Sequence, residues 1–336
     1  MRQLKLKEGY TPVLTLRETQ RAIKIVKDGF ERRLGLALGL DRVSAPLIVS
    51  KSSGINDDLN GVERKVTFDL KEVPGEEMEI VQSLAKWKRM ALKEYGFAAG
   101  EGLYTDMNAV RRDDDMDNLH AVLVDQWDWE RVITPDQRSE AFLKEIVRAI
   151  VGVVADTKAE VQALYPALKE EIRREVTFVT SQELEDRYPA LSGKQREEAI
   201  TRECRTVFIM QIGGTLKSGQ RHDGRAPDYD DWSLNGDLLF WSDVLDCPVE
   251  VSSMGIRVNA ESLKAQLSAA GCEDRLKFPY HRGVAEGTLP LTIGGGIGQS
   301  RMCLLLLEKL HIGEVLSSVW PAADAEACRR AGIPLL

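Results

Sequence analysis

The chain has 336 residues, and its 53 acidic residues outnumber 45 basic ones, which gives a net charge of −8. A chain of this length buries a large core without disulfides or metals, and a hydrophobic content of 43% excludes a disordered protein. The acidic balance argues against broad binding to nucleic-acid phosphates, which needs clustered Lys and Arg. The five cysteines form no CxxC pair, and no run approaches the about 18 apolar residues of a membrane span. We therefore predict a cytoplasmic protein without nucleic-acid or membrane partners.

A capping box predicts where the first helix begins. Thr15 and Glu18 have the spacing at which each side chain caps the backbone of the other, and apolar residues then recur at helical spacing to about Gly39. The β-rich run 43–50 contains Pro46, which predicts an edge or interface strand. Further along, the pattern predicts a strand at 65–73, a short basic helix at 84–95 and a long strand at 120–132.

A second long helix is predicted to begin at Thr134, because Thr134 and Pro135 are typical of the N-cap and first turn. Its apolar stripe is Phe142, Ile146, Ile150 and Val153. Strands are predicted at 176–179 and 207–212, a hairpin over 238–258, a helix over 262–270 and a strand-to-helix turn over 291–310. This irregular order favours an α+β fold, with an antiparallel sheet flanked by helices, over a doubly wound parallel sheet. We find no linker or repeat and predict a single domain over 1–336, weakly constrained over about 1–12.

The densest motif is TIGGGIGQSR, from Thr292 to Arg301. A strand that feeds a glycine-dense turn and then a helix lets a ligand approach the backbone, and the helix N-terminus favours an anion. The motif is not the dinucleotide-binding GxGxxG, because Gln299 breaks the spacing. A tight packing turn is the alternative interpretation. Arg301 favours a ligand, since a buried arginine needs an anion or a flat π-face.

Acidic residues cluster in RAPDYDDW (225–232), followed closely by Asp237. Carboxylates this dense repel one another, so a divalent cation or an ammonium group bound among them explains them more easily than a solvated loop does. A solvated acidic loop remains the alternative interpretation. Glu250 on the following strand is a candidate second metal carboxylate. The acidic run 113–115 is expected to be merely solvated.

The strand 120–132 places Gln126, Asp128 and Glu130 on one face, because side chains alternate along a strand. Two carboxylates and an amide in a row on a central strand need polar partners. Lys88 on the short basic helix, or a polar ligand, is the expected partner.

Six strings in this order carry a family resemblance: QSLAKWKR (82–89), AGEGLYTDMNAVR (99–111), HAVLVDQWDWERV (120–132), RAPDYDDW (225–232), SSMGIRV (252–258) and TIGGGIGQSR (292–301). The chain resembles the ammonia-dependent asparagine synthetases, or aspartate–ammonia ligases, from about residue 12 to about residue 325. That family is similar to the catalytic core of class II aminoacyl-tRNA synthetases. The resemblance implies an antiparallel sheet flanked by helices, and a homodimer whose interface includes the first helix and the strand near Pro46.

The resemblance also implies roles for individual residues. Arg111 matches the motif 2 arginine that binds the α-phosphate of ATP, and Arg301 matches the motif 3 arginine beside adenine and the γ-phosphate. Asp237 and Glu250 match magnesium carboxylates, so Mg²⁺ is expected with ATP, and Asp57 is the leading choice for the group that deprotonates ammonium. The implied aspartate pocket is Asp57, Lys88, Gln126, Asp128, Arg225 and Asp230 with Ser253, and the implied ATP glycines are Gly294, Gly296 and Gly298.

The implied reaction is the ATP-dependent amidation of L-aspartate by ammonia through a β-aspartyl-adenylate, with release of AMP and pyrophosphate. Residue 2 is Arg2, not the N-terminal cysteine that a glutamine-hydrolysing enzyme requires, so free ammonia is the expected nitrogen source. The segment from Trp232 to Leu234 is expected to be a loop that is shorter than in some members. Two alternatives remain open, an aminoacyl-tRNA synthetase relative and a non-catalytic paralogue, although no basic anticodon-binding domain is visible.

Overall fold

The computed structural model describes residues 4–59 and 63–336, which leaves Arg2 outside the described residues. Its strands, in chain order, are β1 (Leu40–Arg42), β2 (Ile48–Ser50), β3 (Thr67–Leu70), β4 (Val73–Ile80), β5 (Gly102–Val110), β6 (Leu123–Val132), β7 (Thr177–Thr180), β8 (Thr206–Met210), β9 (Asp230–Ser242), β10 (Cys247–Arg257) and β11 (Thr292–Gly298).

The helices, in chain order, are α1 (Leu16–Leu38), α2 (Ala85–Glu94), α3 (Glu140–Leu164), α4 (Ser181–Arg187), α5 (Gly193–Cys204), α6 (Ala260–Ala270), α7 (Pro279–Ala285), α8 (Gln299–Leu306) and α9 (Ala322–Arg330). The capping box at Thr15 and Glu18 is formed, and α1 ends at Gly39 in the left-handed region with φ of 65°. Both ends of α1 are therefore as predicted. Over the described residues, no helix has an apolar stretch long enough to span a membrane.

The main sheet has the strand order β1-β5-β6-β11-β10-β9-β8-β7. Its six central strands, β5 to β8 in that order, pair antiparallel, as predicted, whereas the outer pairs β1–β5 and β7–β8 are parallel. A parallel pair needs a long crossover connection, and α4 and α5 supply one between β7 and β8. A smaller sheet, in the order β2-β4-β3, lies in the connection between β1 and β5.

The two faces of β6 have opposite environments. Trp127 and Trp129 are fully buried in the main core, and the ring of Trp127 lies 4.5 Å from that of Phe30 on α1. Helices α1 and α3 pack together in this core. Because neighbouring side chains alternate between faces, Gln126 and Asp128 point to the opposite face. The sheet thus separates an apolar layer from a polar one.

Some boundaries differ from the sequence-based expectation. Thr134 caps a single 3₁₀ turn, and α3 begins only at Glu140, where the Ser139 side chain accepts a hydrogen bond from the Phe142 backbone N–H. The predicted start was therefore too early, because two caps follow one another. The predicted apolar stripe of α3 is buried.

Three further expectations were wrong about strand boundaries. The run 43–50 is a strand only at its end, in β2, and the segment from Trp232 to Leu234 lies inside β9 rather than in a loop. The glycines of TIGGGIG form β11 itself, not a turn after it, because the paired neighbours β6 and β10 hold them extended. The single-domain assignment over 1–336 stays a prediction.

Candidate active site

A cavity of about 710 Å³ opens on the polar face of the sheet. Strands β6, β10 and β11 form its floor, and the first turn of α8 and the segments before α2 and β9 form its walls. The structure brings most of the predicted site residues together around this space. Those that line it are Asp57, Lys88, Arg111, Gln126, Asp128, Arg225, Asp230, Glu250, Ser253, Gly296, Gly298 and Arg301.

Two predicted site residues lie behind the lining instead. The Asp237 carboxylate accepts hydrogen bonds from Arg225 Nη2, at 2.6 Å, and from the Ser253 hydroxyl, so it supports two residues that do line the cavity. Gly294 lies beneath Glu130, and a Cβ added there would be 2.1 Å from Glu130 Oε2. Gly294 therefore provides space for a neighbouring side chain, and this position offers no support for direct contact with ATP.

Lys88 is the partner of the carboxylates on β6, as the sequence predicted. Its fully buried ammonium donates to the Asp128 carboxylate and to the backbone oxygens of Trp129, at 3.0 Å, and Gly295, at 3.1 Å. Burial lowers the pKa of Lys88 while the carboxylates Asp128 and Glu130 oppose that change. An ammonium has three donors, so these contacts make Lys88 the counter-ion of Asp128, and its direct contact with aspartate stays a prediction.

Arg257, on β10, was not assigned a role from the sequence, yet it lines the cavity and is fully buried. Its Nε and Nη2 donate to the Glu130 carboxylate at 3.1 and 2.7 Å, and its Nη1 donates to Asp230. The Thr292 hydroxyl also donates to Glu130, at 2.6 Å. Burial alone would raise the pKa of Glu130, but the cations of Arg257 and Lys88 lower it. The sequence gave little signal, because Arg257 is the last residue of a strand that also carries Glu250 and two serines.

Arg111 and Arg301 reach the cavity from different elements. Arg111 follows β5 directly and donates to the backbone oxygen of Gln82 at 3.4 Å. Arg301, in the first turn of α8, donates to the backbone oxygens of Leu119, at 3.3 Å, and Glu250, at 3.0 Å. These hydrogen-bond acceptors are uncharged, and the one carboxylate paired with either group is that of Glu250, 3.8 Å from Arg301, so much of the positive charge of both guanidinium groups remains for a ligand. Planar guanidinium groups match phosphate geometry, and the pair therefore fits a polyphosphate.

Asp57 forms one wall of the cavity and is buried. Its carboxylate accepts hydrogen bonds from the Tyr229 hydroxyl and from the Leu59 backbone N–H, both at 3.0 Å. Burial raises the pKa of Asp57, although the nearby Lys86 ammonium lowers it in part. Tyr229 was missed by the sequence analysis, where it was only one letter of an acidic string.

A second buried carboxylate, Asp228, lies next to this wall. It accepts hydrogen bonds from Arg275 at 2.8 Å and from His281 at 3.0 Å, and the Lys86 ammonium is 3.7 Å away. Burial would raise the pKa of Asp228, but the charge of Lys86, the hydrogen bond with His281 and the charge of Arg275 hold it well below its usual range. Arg275 also pairs with Asp58, at 3.1 Å, so an ion pair from outside the cavity anchors the segment that carries Asp57.

The predicted magnesium carboxylates, Asp237 and Glu250, lie on the paired strands β9 and β10. Burial raises the pKa of Asp237, Arg225 opposes this, and the charge of Glu250 adds to it. The described part of the chain contains no group of three or more His, Cys, Asp or Glu side chains arranged to hold a metal by themselves. Magnesium in such sites is held by one or two carboxylates together with substrate phosphates. Glu250 lines the cavity and Asp237 lies directly behind the lining, so the two stay predicted ligands for an ion that binds with ATP.

Acidic residues also line the mouth of the cavity. Asp113 and Asp115 are exposed, as expected for a solvated run, but with Asp114 and Asp117 they face the same space as the arginines. Asp113 is hydrogen-bonded by Arg64, with its carboxylate 3.0 Å from Nε. The exposure of Asp113 and Asp115 agrees with a solvated run, and the structure adds that this turn borders the cavity, which its position in the sequence did not indicate.

Two solved structures show which fold this is. The asparaginyl-tRNA synthetase from Entamoeba histolytica in complex with asparaginyl-adenylate matches with a TM-score of 0.65 at 14% identity, over 90% of this chain and 66% of that one. The Pyrococcus horikoshii asparaginyl-tRNA synthetase complexed with asparaginyl-adenylate also gives 0.65, at 15% identity, over 90% and 70%. The fold is therefore that of the class II aminoacyl-tRNA synthetase catalytic core, as predicted.

Other proteins have a far higher sequence identity to this chain than these two structures have. Residues 17–332 match the profile of the aspartate–ammonia ligase family. The chain is 56% identical to the aspartate–ammonia ligase of Ligilactobacillus salivarius over 330 residues and 57% identical to that of Ruminiclostridium cellulolyticum over 329 residues, with 98% of both chains covered in each case. The chain belongs to the aspartate–ammonia ligase family.

Proposed function

We propose that this protein joins ammonia to L-aspartate in an ATP-dependent reaction, through a β-aspartyl-adenylate, and releases L-asparagine, AMP and pyrophosphate. The observation that carries the proposal is one cavity that combines two phosphate-compatible arginines, Arg111 and Arg301, with the buried carboxylates Asp57, Asp128 and Asp230. Membership of the family gives the same reaction class.

The chemistry explains why both charge types are needed. A carboxylate is a poor electrophile, so its oxygen first attacks the α-phosphorus of ATP and the bond to the β-phosphate breaks, releasing pyrophosphate. Ammonia then attacks the acyl carbon, and AMP leaves with the carbon–oxygen electron pair. Arg111 and Arg301 are placed to offset negative charge on the phosphates, where fixed electrostatics contribute most. Mg²⁺ held by Asp237 and Glu250 would supply further positive charge there.

Recognition of aspartate needs carboxylates for its amino group and donors for its carboxylates. Asp128 and Asp230 line the cavity on one side, and Arg225 and Ser253 line it nearby. Asp57 is the proposed acceptor of the proton that ammonium must lose before attack. Burial raises the pKa of Asp57, which brings it closer to the pKa of ammonium and makes this carboxylate a better base.

Two further features belong to the proposal. A homodimer is supported by large apolar side chains left exposed where α1 ends and β2 begins, with Leu36 at 81%, Leu47 at 48% and Ile48 at 42% exposure. A cytoplasmic location is supported by the cysteines of the described chain, none of which is in a disulfide.

The adenylate step has support from the solved neighbours, because both are described in complex with asparaginyl-adenylate. Those neighbours are tRNA synthetases, so a tRNA-charging relative is the main alternative. The ligase relatives cover 98% of this chain at more than 50% identity, which favours the ligase over that alternative. The non-catalytic alternative is disfavoured because Arg111, Arg301 and Glu250 all line the same cavity, with Asp237 directly behind it.

The test is a product assay with aspartate, ATP, Mg²⁺ and ammonium chloride. We expect asparagine, AMP and pyrophosphate in equal amounts, without added tRNA. Formation of ADP and phosphate would contradict the adenylate, and AMP formation that depends on tRNA would favour the synthetase alternative. Glutamine in place of ammonium should give no asparagine.

A further inference from the structure

The segment 4–10, which we call the N-terminal segment, is fastened to the rest of the fold although it contains no helix or strand. The Lys5 ammonium donates to the backbone oxygen of Leu245 at 3.0 Å. Tyr10 packs against the main core, and its hydroxyl lies 3.0 Å from both oxygens of the Glu314 carboxylate, to which it donates. A terminal segment that is tied down in this way is ordered.

Asn118 connects the N-terminal segment to the cavity. Its side-chain oxygen accepts a hydrogen bond from the Lys5 backbone N–H at 2.8 Å. Its side-chain nitrogen donates to the backbone oxygens of Lys5, at 2.9 Å, and Leu310, at 2.8 Å, and its own backbone oxygen accepts from the Ile312 N–H at 2.9 Å. Because Asn118 is only 4% exposed, loss of these partners would leave buried polar groups unsatisfied. One asparagine thus joins three segments of the chain.

Both segments that Asn118 joins to the N-terminal segment line the cavity, through Leu119 and Ile312. Leu119 also supplies a backbone oxygen that accepts a hydrogen bond from Arg301 Nε, at 3.3 Å. The Asp117 carboxylate closes the turn around Asn118, because it accepts from the Leu119 N–H at 2.7 Å. A displacement of Asn118 therefore displaces an acceptor of Arg301 and part of the cavity wall.

We propose that Asn118 is a positioning residue for the ATP site, and that it acts by fastening the turn 117–120 and residues 310–316 to the N-terminal segment. This inference rests on the proposed function, in which Arg301 binds ATP. The N-terminal segment itself does not line the cavity, so its effect on ATP passes through Asn118.

The aspartate side of the cavity is held by other contacts. Asp128 accepts a hydrogen bond from Lys88 on α2, and Asp230 accepts one from Arg257 on β10. These buried pairs remain when the contacts of Asn118 are lost. The proposal therefore predicts a defect in ATP binding that is not accompanied by a defect in aspartate binding.

The experiment compares the wild type with Asn118→Ala and Asn118→Asp. The Kd for ATP with Mg²⁺, without aspartate, is measured by calorimetry, and the KM for aspartate is measured in the product assay. Asn118→Asp keeps the size of the side chain but replaces the donor with an oxygen that faces the backbone oxygens of Lys5 and Leu310. We expect the Kd for ATP to rise on the order of tenfold in both variants, because only a fraction of the molecules then hold the turn 117–120 in its binding position. The KM for aspartate should change less than about threefold.

Asn235→Ala is the matched control. Asn235 is fully buried and pairs with one residue in the same way, since its side-chain oxygen accepts from the Ile212 N–H and its side-chain nitrogen donates to the Ile212 backbone oxygen, both at 2.9 Å. Within the described chain it does not line the cavity. We expect Asn235→Ala to lower the melting temperature, as Asn118→Ala does, and to keep the wild-type Kd for ATP. An equal rise of this Kd in both variants would overturn the proposal, because the effect would then be a general loss of stability.

Tyr10→Phe tests the same fastening without a change at Asn118. It removes one hydroxyl that joins the N-terminal segment to Glu314, and it decides the question if the Asn118 variants do not fold. We expect its Kd for ATP to rise on the order of threefold, as for part of one hydrogen bond, with the KM for aspartate unchanged. A folded Tyr10→Phe with the wild-type Kd for ATP would overturn the role of the N-terminal segment.

The two proposals fail in different ways. If the wild type binds ATP but forms no asparagine, the proposed function is wrong, and the calorimetry still measures the effect of Asn118 on ATP. If the wild type forms asparagine and the Asn118 variants retain its Kd for ATP, only the positioning role is wrong.

Discussion

Replacing Arg301 with alanine separates the phosphate role of this residue from its part in the fold. Arg301 makes two hydrogen bonds to backbone oxygens, at 3.0 and 3.3 Å, and its ion pair with Glu250 spans 3.8 Å. Each hydrogen bond contributes about 1 kcal/mol. The ion pair contributes at most about 1 kcal/mol, because the two side chains are 25% and 32% exposed and water screens them.

The expected cost of Arg301→Ala to the free energy of unfolding is therefore about 2 to 3 kcal/mol. For a chain of this length that corresponds to a decrease in the melting temperature of only a few degrees, roughly 3 to 5 °C. Turnover should fall far more. A group that offsets charge developing in the transition state is worth on the order of 10²- to 10³-fold in kcat, so the variant should be folded and nearly inactive.

The assay is the rate of pyrophosphate release, with thermal unfolding measured on the same preparations. Arg301→Lys is the control, because it keeps the positive charge but loses the planar fork, and it should retain more activity than the alanine variant. Turnover of Arg301→Ala within about threefold of the wild type would refute the phosphate role. A decrease in melting temperature above about 10 °C would show instead that the backbone contacts dominate.

Three other predictions concern buried charges. Lys88→Met should lower the free energy of unfolding in urea by about 3 to 5 kcal/mol, because Asp128 loses its counter-ion. The double variant Lys88→Met with Asp128→Leu should recover stability but not activity. An equal loss of stability in the single and the double variant would contradict this. Asp57→Asn should lose asparagine formation yet keep ATP–pyrophosphate exchange, and loss of the exchange would refute the base role. The variant should melt no lower than the wild type at pH 7, because burial raises the pKa of Asp57 and ionising this carboxyl in the folded protein costs stability. The neighbouring cations lower the pKa of Asp228, although burial alone would raise it. The ionised Asp228 therefore contributes its full stabilisation of the folded protein above about pH 4, and this contribution is lost as the pH falls through the lowered pKa. Asp228→Asn should therefore destabilise at pH 7, and its urea midpoint should approach that of the wild type only below about pH 4.

Local signals predicted much of the fold. The Thr15 capping box and the left-handed Gly39 define α1 by contacts within a few residues, and both are visible in the sequence. Strand β4 was missed because Pro74, Gly75 and three glutamates hide a strand that is stabilised by its neighbours β2 and β3. The parallel edges were missed for the same reason, since strand pairing is a long-range property.

The site shows a similar division. The alternation along β6 correctly placed Asp128 on a polar face and suggested Lys88 as its partner. The strings that carry the family resemblance predicted most of the remaining residues that line the cavity. Arg257 and Tyr229 were missed, because their importance depends on which strands lie side by side, and a single sequence does not contain the order β6-β11-β10.

The glycines of β11 have a consequence for how this family varies. A Cβ at Gly294 would meet the carboxylate of Glu130, and one at Gly296 would lie 2.3 Å from Gln126 Oε1. The side chains at positions 294 and 130 therefore compete for the same space, and so do those at positions 296 and 126. Relatives that carry a larger residue on β11 should carry a shorter one at the matching position of β6, so that the two strands change together or not at all.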